Sequence, residues 1–325
     1  MPLVADAVES QIAYIPVSVK TLRPDQSIGI GLYLRESGAG SYFLYREKGI
    51  PLNHSDLEAL QARGLSTLYA KGDEFEIYQR YLRGSLDSVM ADESIPVANR
   101  FSHLNEVVRD ILADSFRRGE TGGTITTCHN VAHKTVDLIC RKDAVASELL
   151  GVMYHDYHTF THSANVSYYC TMLAKSLGIS DRKDLHRIAV GGMLHDLGKL
   201  EIPDTILTKP GALTTAERTV IKQHPRTGFL KLCRRHELTR SQMMMVYQHH
   251  ERLDGKGYPV GAVGDEIDTW AKMCAVVDVF EALTSNRPYR RALERAEAFG
   301  IMGREAGPAL DKDMFECWMQ AISTI

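Results

Sequence analysis

The chain has 325 residues, 44% of them apolar and 24% charged, and a net charge of −3. That length holds two domains or one large core with an appendage, and the slight negative charge gives no electrostatic case for binding a nucleic-acid polymer. Six cysteines without a C-x-x-C pair argue against a zinc knuckle or a disulfide framework, and with no signal peptide or bilayer-length apolar run a cytoplasmic protein off the membrane is expected.

Residues 11–50 alternate as strands do, from Ile12 to Val19, Ile28 to Leu34 and Tyr42 to Tyr45. Turn signals at Arg23-Pro24-Asp25 and Gly38-Ala39-Gly40 separate them. Ser55 reads as the N-cap of a short helix that Gly64 ends, and Leu65 to Tyr69 as a further strand. Residues 1–72 therefore form a small α+β module. It carries no chemical constellation, so its expected role is docking, with a protein partner left open.

From Glu74 the period becomes helical, with Phe75, Tyr78, Tyr81, Leu82, Leu86 and Met90 on one stripe. A break at 92–96 precedes a helix from about Asn99 to Arg117, and Gly122-Gly123 interrupts the chain before a third from about Thr126 to Arg141. Residues 73–145 thus read as a helical connector, and 146–325 as an all-α domain, so the whole is mainly α. His129 and His133 are four apart on the third helix, a metal half-site without a carboxylate. His155-Asp156 reads as a helix lead-in.

The stretch that organises the chain is Gly191-Gly192-Met193-Leu194-His195-Asp196-Leu197-Gly198-Lys199. It reads as a buried helix carrying three polar groups that stability alone does not call for. On a helix, His195, Asp196 and Lys199 can converge on one patch. An imidazole beside a carboxylate offers lone pairs to a divalent cation, and the two oxygens of Asp196 can bridge two ions.

Further elements follow in order. They are His158 to His162, Asn165, His224 with Gly228, then His249-His250-Glu251-Arg252-Leu253-Asp254-Gly255-Lys256-Gly257-Tyr258-Pro259, and finally Asp278, Glu281, Arg287 and Arg290. The set resembles the HD-GYP family of bacterial cyclic di-GMP phosphodiesterases, a branch of the HD-domain metal phosphohydrolases, over about residues 150–295. The motifs His195-Asp196-x-Gly198-Lys199 and His249-His250-Glu251-x-x-Asp254-Gly255-x-Gly257-Tyr258-Pro259 carry the resemblance.

The five histidines 162, 195, 224, 249 and 250 and the aspartates 196 and 278 can supply ligands for two octahedral ions. Mixed nitrogen and oxygen donors without thiolate suit iron or manganese. The resemblance implies that His162, His195, Asp196 and Asp278 hold one ion. It implies that Asp196, as a bridge, with His224, His249 and His250 holds the other. Attack by a bridging hydroxide on an in-line phosphodiester is then expected, with Lys199 steadying charge or protonating the leaving oxygen. Relatives with a third metal use a glutamate where His158 stands, so two ions are expected, with His158 behind them or lining the pocket. The loop Gly257-Tyr258-Pro259 is expected against the substrate, with Arg287 and Arg290 on the second phosphate. Glu281, where the family more often has aspartate, is expected to fit the substrate.

The implied activity is hydrolysis of cyclic di-GMP to pGpG and, in a further step, GMP. A non-catalytic cyclic di-GMP sensor and an HD phosphohydrolase for another cyclic dinucleotide are the rivals, and a homodimer is left open.

Overall fold

The computed structural model describes residues 14–36, 41–118, 121–142, 144, 149–151, 153, 159–287 and 290–323, with the side chains of 114–118 and 159 left aside. The chain divides into two compact units, Met1–Ile95 and Pro96–Ile325.

In the first unit, β1 (Tyr14–Ser18), β2 (Leu32–Arg35), β3 (Tyr42–Arg46) and β4 (Thr67–Lys71) form an antiparallel sheet of order β1-β4-β2-β3. Tyr14 stacks on Tyr42 with ring centroids 3.9 Å apart, and Tyr33 and Tyr69 meet this pair edge-on. Such cross-strand aromatic contacts stabilise a small sheet whose core is limited. Helix α1 (His54–Ala62) is capped by Asn53, not by Ser55. The Asn53 side chain accepts from the Asp56 amide while Asp56 reaches back to the Asn53 amide, a reciprocal pair that Ser55 cannot make from inside the first turn.

Helix α2 (Phe75–Ala91) also belongs to this unit. It buries Tyr78, Leu82, Leu86 and Val89, and the Tyr78 and Tyr81 hydroxyls meet Thr21. The 73–145 connector expected from sequence is therefore no separate unit. Its first helix goes with the sheet and its others with the helical domain.

The second unit is all helical among the described residues. Helix α3 (Val97–Arg118), α4 (Thr121–Ile139), α5 (Thr159–Ser176) and α6 (Arg182–Leu194) are followed by a 3₁₀ turn at Leu197–Glu201. Short α7 (Asp204–Leu207) and α8 (Thr215–Ile221) lead to α9 (His224–Leu232) and α10 (Arg240–Gln248), and α11 (Thr269–Thr284), α12 (Arg295–Glu305) and α13 (Lys312–Ser323) close the domain. Helix α4 begins five residues before the sequence suggests, with Gly122-Gly123 inside its first turn. Glycine weakens a helix chiefly in its interior, so at this end the cost is small.

Helix α5 is the axis of the unit. Every residue from 161 to 174 is buried. It packs against α6, α11, α3 and α13. A helix surrounded in this way has no polar face to mark it in sequence. Tyr169 on α5, Phe280 on α11 and Trp318 on α13 form an aromatic wedge, with centroids 5.1–5.6 Å apart. Glycines allow the close approaches around the site. A Cβ on Gly192 would stand 2.7 Å from the Ser167 Cα, and one on Gly198 would stand 1.9 Å from the His224 carbonyl oxygen.

Candidate metal centre

Five elements converge here. Helix α5 brings His162 and Asn165, and the end of α6 with its 3₁₀ continuation brings His195, Asp196 and Lys199. The start of α9 brings His224, the end of α10 brings His249 and His250, and α11 brings Asp278 and Glu281. The expected continuous helix through 191–199 is not what forms. The α-helix ends at Leu194, His195 is its C-cap, and Asp196 starts the 3₁₀ turn. Residues i and i+3 eclipse in a 3₁₀ helix. That places the Lys199 ammonium 2.6 Å from Asp196 Oδ2.

Among the described residues, two groups of side chains could each hold an ion. One is His162, His195 and Asp196, and the other is Asp196, His224, His249 and His250. Asp196 belongs to both and divides its oxygens between them. Oδ2 lies 3.2 Å from His162 Nε2 and 3.4 Å from His195 Nε2, and Oδ1 lies 3.1 Å from His224 Nε2 and 3.8 Å from His249 Nε2. Asp278 stands beside both groups, with Oδ1 3.0 Å from His162 Nε2 and Oδ2 3.7 Å from His250 Nδ1. Each of these carboxylates and imidazoles is buried, except the half-buried His250.

The donor set fits a pair of cations, and the hydrogen bonds behind it say why. The Nδ1 atoms of His195, His224 and His249 lie 2.7, 2.7 and 3.0 Å from the carbonyl oxygens of Gly192, Ile221 and Met245. That of His162 lies 2.5 Å from Glu281 Oε2. A carbonyl can only accept, so Nδ1 carries the proton and each Nε2 presents a lone pair. These lone pairs face one another, with His162 and His195 Nε2 atoms 3.2 Å apart and those of His224 and His249 3.1 Å apart. Asp196 Oδ1 is buried with no hydrogen-bond partner. Acceptors packed against acceptors repel unless a positive charge stands among them.

Protons fill that need poorly. Burial, then its imidazole neighbours, holds the His249 pKa well below its ordinary value, and burial takes His250 down to about 3. Burial lowers His195 as well. Burial opposes charge on His162 too, yet the Glu281 carboxylate, with Asp196 and Asp278, raises its pKa well above the usual value. Asp196 would also be pushed up by burial, but Lys199 and the imidazoles hold it well below the carboxylate range.

Glu281 faces His162. It is 1% exposed and braces His162, while Asn165 Nδ2 and Ser285 Oγ donate to its other oxygen at 3.2 and 2.7 Å. Arg287 Nη2 approaches Glu281 Oε2 at 3.5 Å from behind. Arg290 is committed elsewhere as well. Its guanidinium donates to the carbonyls of Ala282, Leu283 and Arg291, closing the C-terminal end of α11. In this structure Glu281 thus supports His162, Arg287 meets Glu281, and Arg290 supports the end of the helix. His158 lies outside the described residues, as does His155-Asp156. His133 stacks on His186 at 3.9 Å, and among the described residues neither His129 nor His133 belongs to a group of three or more metal-ligating side chains.

The Gly257-Tyr258-Pro259 loop is held by a residue to which the sequence reading gives no role. Glu251, 3% exposed, accepts from the amides of Val260, Gly261 and Ala262 at 2.8, 3.1 and 3.1 Å. Its position directly after the histidine pair was the available signal. The loop lays the Tyr258 ring on that of His250, with centroids 4.7 Å apart.

The sequence profile described as "HD domain" matches residues 148–314. The chain is an HD-domain protein. Its motifs put it in the HD-GYP branch of that family. Among relatives of this HD-domain chain, the cyclic di-GMP phosphodiesterase PA4108 of Pseudomonas aeruginosa is 32% identical over 213 residues, covering 65% of this chain and 51% of the relative. The cyclic di-GMP phosphodiesterase response regulator RpfG of Xanthomonas campestris is 37% identical over 162 residues, 50% of this chain and 43% of the relative. A 3′3′-cGAMP-specific phosphodiesterase of Vibrio cholerae is 38% identical over 162 residues, 49% of this chain and 36% of the relative. The chain thus spans about half or less of the length of these curated relatives. In fold, it is similar to Bd1817, an HD-GYP-type protein of Bdellovibrio bacteriovorus, with a TM-score of 0.70 at 21% identity over 96% of this chain and 100% of that one. Among the described residues, no helix is long and apolar enough to cross a membrane.

Proposed function

We propose that this chain is a metal-dependent phosphodiesterase that hydrolyses cyclic di-GMP to pGpG. The observation that carries the reading is the shared Asp196, whose two oxygens face two separate groups of histidine Nε2 atoms. A pair of divalent ions, iron or manganese by donor type, would supply Lewis acidity and a nucleophile drawn from water. His162, His195, Asp196 and Asp278 would hold one, and Asp196, His224, His249 and His250 the other.

The chain's own residues supply the rest. Glu281 fixes the His162 tautomer, and backbone carbonyls fix those of His195, His224 and His249. Lys199 keeps an ammonium at Asp196, where it can donate a proton to a departing alkoxide or balance its charge. Glu251 holds the Gly257-Tyr258-Pro259 loop beside His250, giving the site an aromatic wall.

The experiment is turnover of cyclic di-GMP by anaerobically prepared protein loaded with iron or manganese, with products separated by chromatography. Formation of pGpG that stops in Asp196→Ala is expected, and binding without turnover in either metal would overturn the reading in favour of a sensor. The cGAMP-specific relatives favour 3′3′-cGAMP as the second substrate to test. A higher kcat/KM for it would move the assignment to the mixed dinucleotide.

A further inference from the structure

A second cluster of charged and titratable side chains lies away from the metal centre. Helices α4 and α6 pack against each other and leave between them a surface cleft of about 240 Å³. We propose that this cleft binds a phosphate group, as the free ion or as a phosphate monoester. Arg182, Lys183 and Arg187 line it from α6 and Asp137 from α4, so cations outnumber carboxylates three to one. His133 and His186 complete the lining, with ring centroids 3.9 Å apart and planes 24° apart. From Arg187 to His195 the chain runs eight residues along α6, about 12 Å at the helical rise, so the cleft is separate from the candidate metal centre.

The present partners of these cations are weak competitors. Arg182 pairs with Asp137, and Arg187 with Asp184 at 3.1 Å, all four side chains being 40% exposed or more. Exposed pairs of this kind contribute little and are screened by salt, so a dianion can take the guanidiniums over. Among the described residues the Lys183 ammonium pairs with no carboxylate, and nearby Asp181 accepts from the Lys183 backbone amide at 2.8 Å. The imidazoles add donors. His186 Nε2 lies 2.9 Å from the His129 carbonyl oxygen, which only accepts, so Nε2 carries the proton and Nδ1 is left without a hydrogen bond. Burial, then His133, His129 and Arg187, lowers the His186 pKa against that bond. An anion in the cleft opposes the effect of these neighbours, so binding favours a proton on Nδ1 and makes it a further donor. Guanidinium, ammonium and imidazole N–H groups around one concavity match the several acceptor oxygens and the double charge of a phosphate. A metal ion is the poorer fit, because among the described residues neither His133 nor His186 belongs to a ligand group.

The test follows the ring signals of His133 and His186 by NMR in the full chain carrying Asp196→Ala, so that no bound metal competes for phosphate. Wild type stripped by a chelator gives the same reading without the substitution. Inorganic phosphate, GMP and pGpG are each added at constant ionic strength, with chloride as the control. Saturable shifts of both rings are expected, together with a raised His186 pKa. Loss of one charge-assisted contact corresponds to about tenfold or more in affinity, so the double variant Lys183→Gln, Arg187→Gln should bind at least that much more weakly. In the metal-loaded chain, the rise in melting temperature that phosphate brings should be smaller in the double variant than in wild type. Tighter binding of GMP or pGpG than of inorganic phosphate names a nucleotide as the source, and equal binding names the free ion; either result supports the site. No saturable shift, shifts that chloride reproduces, or binding that the double variant leaves unchanged would overturn the proposal.

Discussion

Replacing Glu251 with glutamine isolates the loop from the metal ligands. The carboxylate is 3% exposed and accepts three backbone amides, two on Oε1 from Val260 and Gly261 and one on Oε2 from Ala262. Bonds to a charged acceptor contribute roughly 1.5–3 kcal/mol each and neutral ones about 0.5–1.5 kcal/mol. Glutamine keeps an oxygen for two of the amides but turns an NH₂ toward the third, donor against donor. The net loss is about 5 kcal/mol of loop anchoring, taking the middle of each range. The loss is local, so it should appear first as opening of residues 257–262. Hydrogen exchange should show the amides of 260–262 losing protection by about two orders of magnitude or more, with kcat/KM falling at least about tenfold. Metal content should stay at the wild-type value, because no ligand group includes Glu251. Unchanged protection at 260–262, or activity lost only in proportion to lost metal, would refute the reasoning.

Asp196→Ala should bind neither ion, read by elemental analysis, since the carboxylate serves both groups; retention of one ion would refute a bridge. Lys199→Ala should keep its metal content yet turn over on the order of a hundredfold more slowly, as loss of a proton donor or charge stabiliser does. Glu281→Gln should weaken metal binding by about 10- to 100-fold in a chelator competition, because it loosens His162. Asp254 has its pKa lowered from 3.8 to about 2, chiefly by its bond to Arg252. A carboxylate depressed in the folded state stabilises above its unfolded pKa and loses that contribution as pH falls through the folded one. The melting-temperature gap between wild type and Asp254→Asn should therefore be constant above about pH 4 and close toward pH 2.

Motif spacing brought the seven proposed ligands to notice, and the structure gathers them around Asp196. The division into an α+β part and a helical part was legible because strand and helix periods differ over whole segments. Fine structure was less so. The change from α-helix to 3₁₀ turn at His195–Asp196 leaves no mark in a pattern of apolar residues, since both helices bury similar positions over so few residues. Asn53 and Ser55 are both good caps, and only the reach of Asp56 decides between them. The contacts of the long side chains were least legible. Arg290 and Glu281 follow the last aspartate at spacings that suit a substrate, and nothing in those spacings announces their contacts with the open carbonyls at the end of α11 and with Nδ1 of His162. Such claims depend on tertiary neighbours, which no local window contains. For the same reason the boundary at Ile95 was out of reach, because what assigns α2 to the sheet is its contact with Thr21, more than fifty residues away.

The glycines at 192 and 198 carry no reactive atom, yet a methyl group on either would overlap the backbone of another helix or turn. On Gly198 it would displace the carbonyl of His224 itself. In a saturation scan scored by growth or activity, these positions should therefore rank with the histidines as intolerant, alanine included. Intolerance of that kind reports a distance between main chains rather than a chemical role, and a catalytic map drawn from such a scan alone would count two spacers as participants.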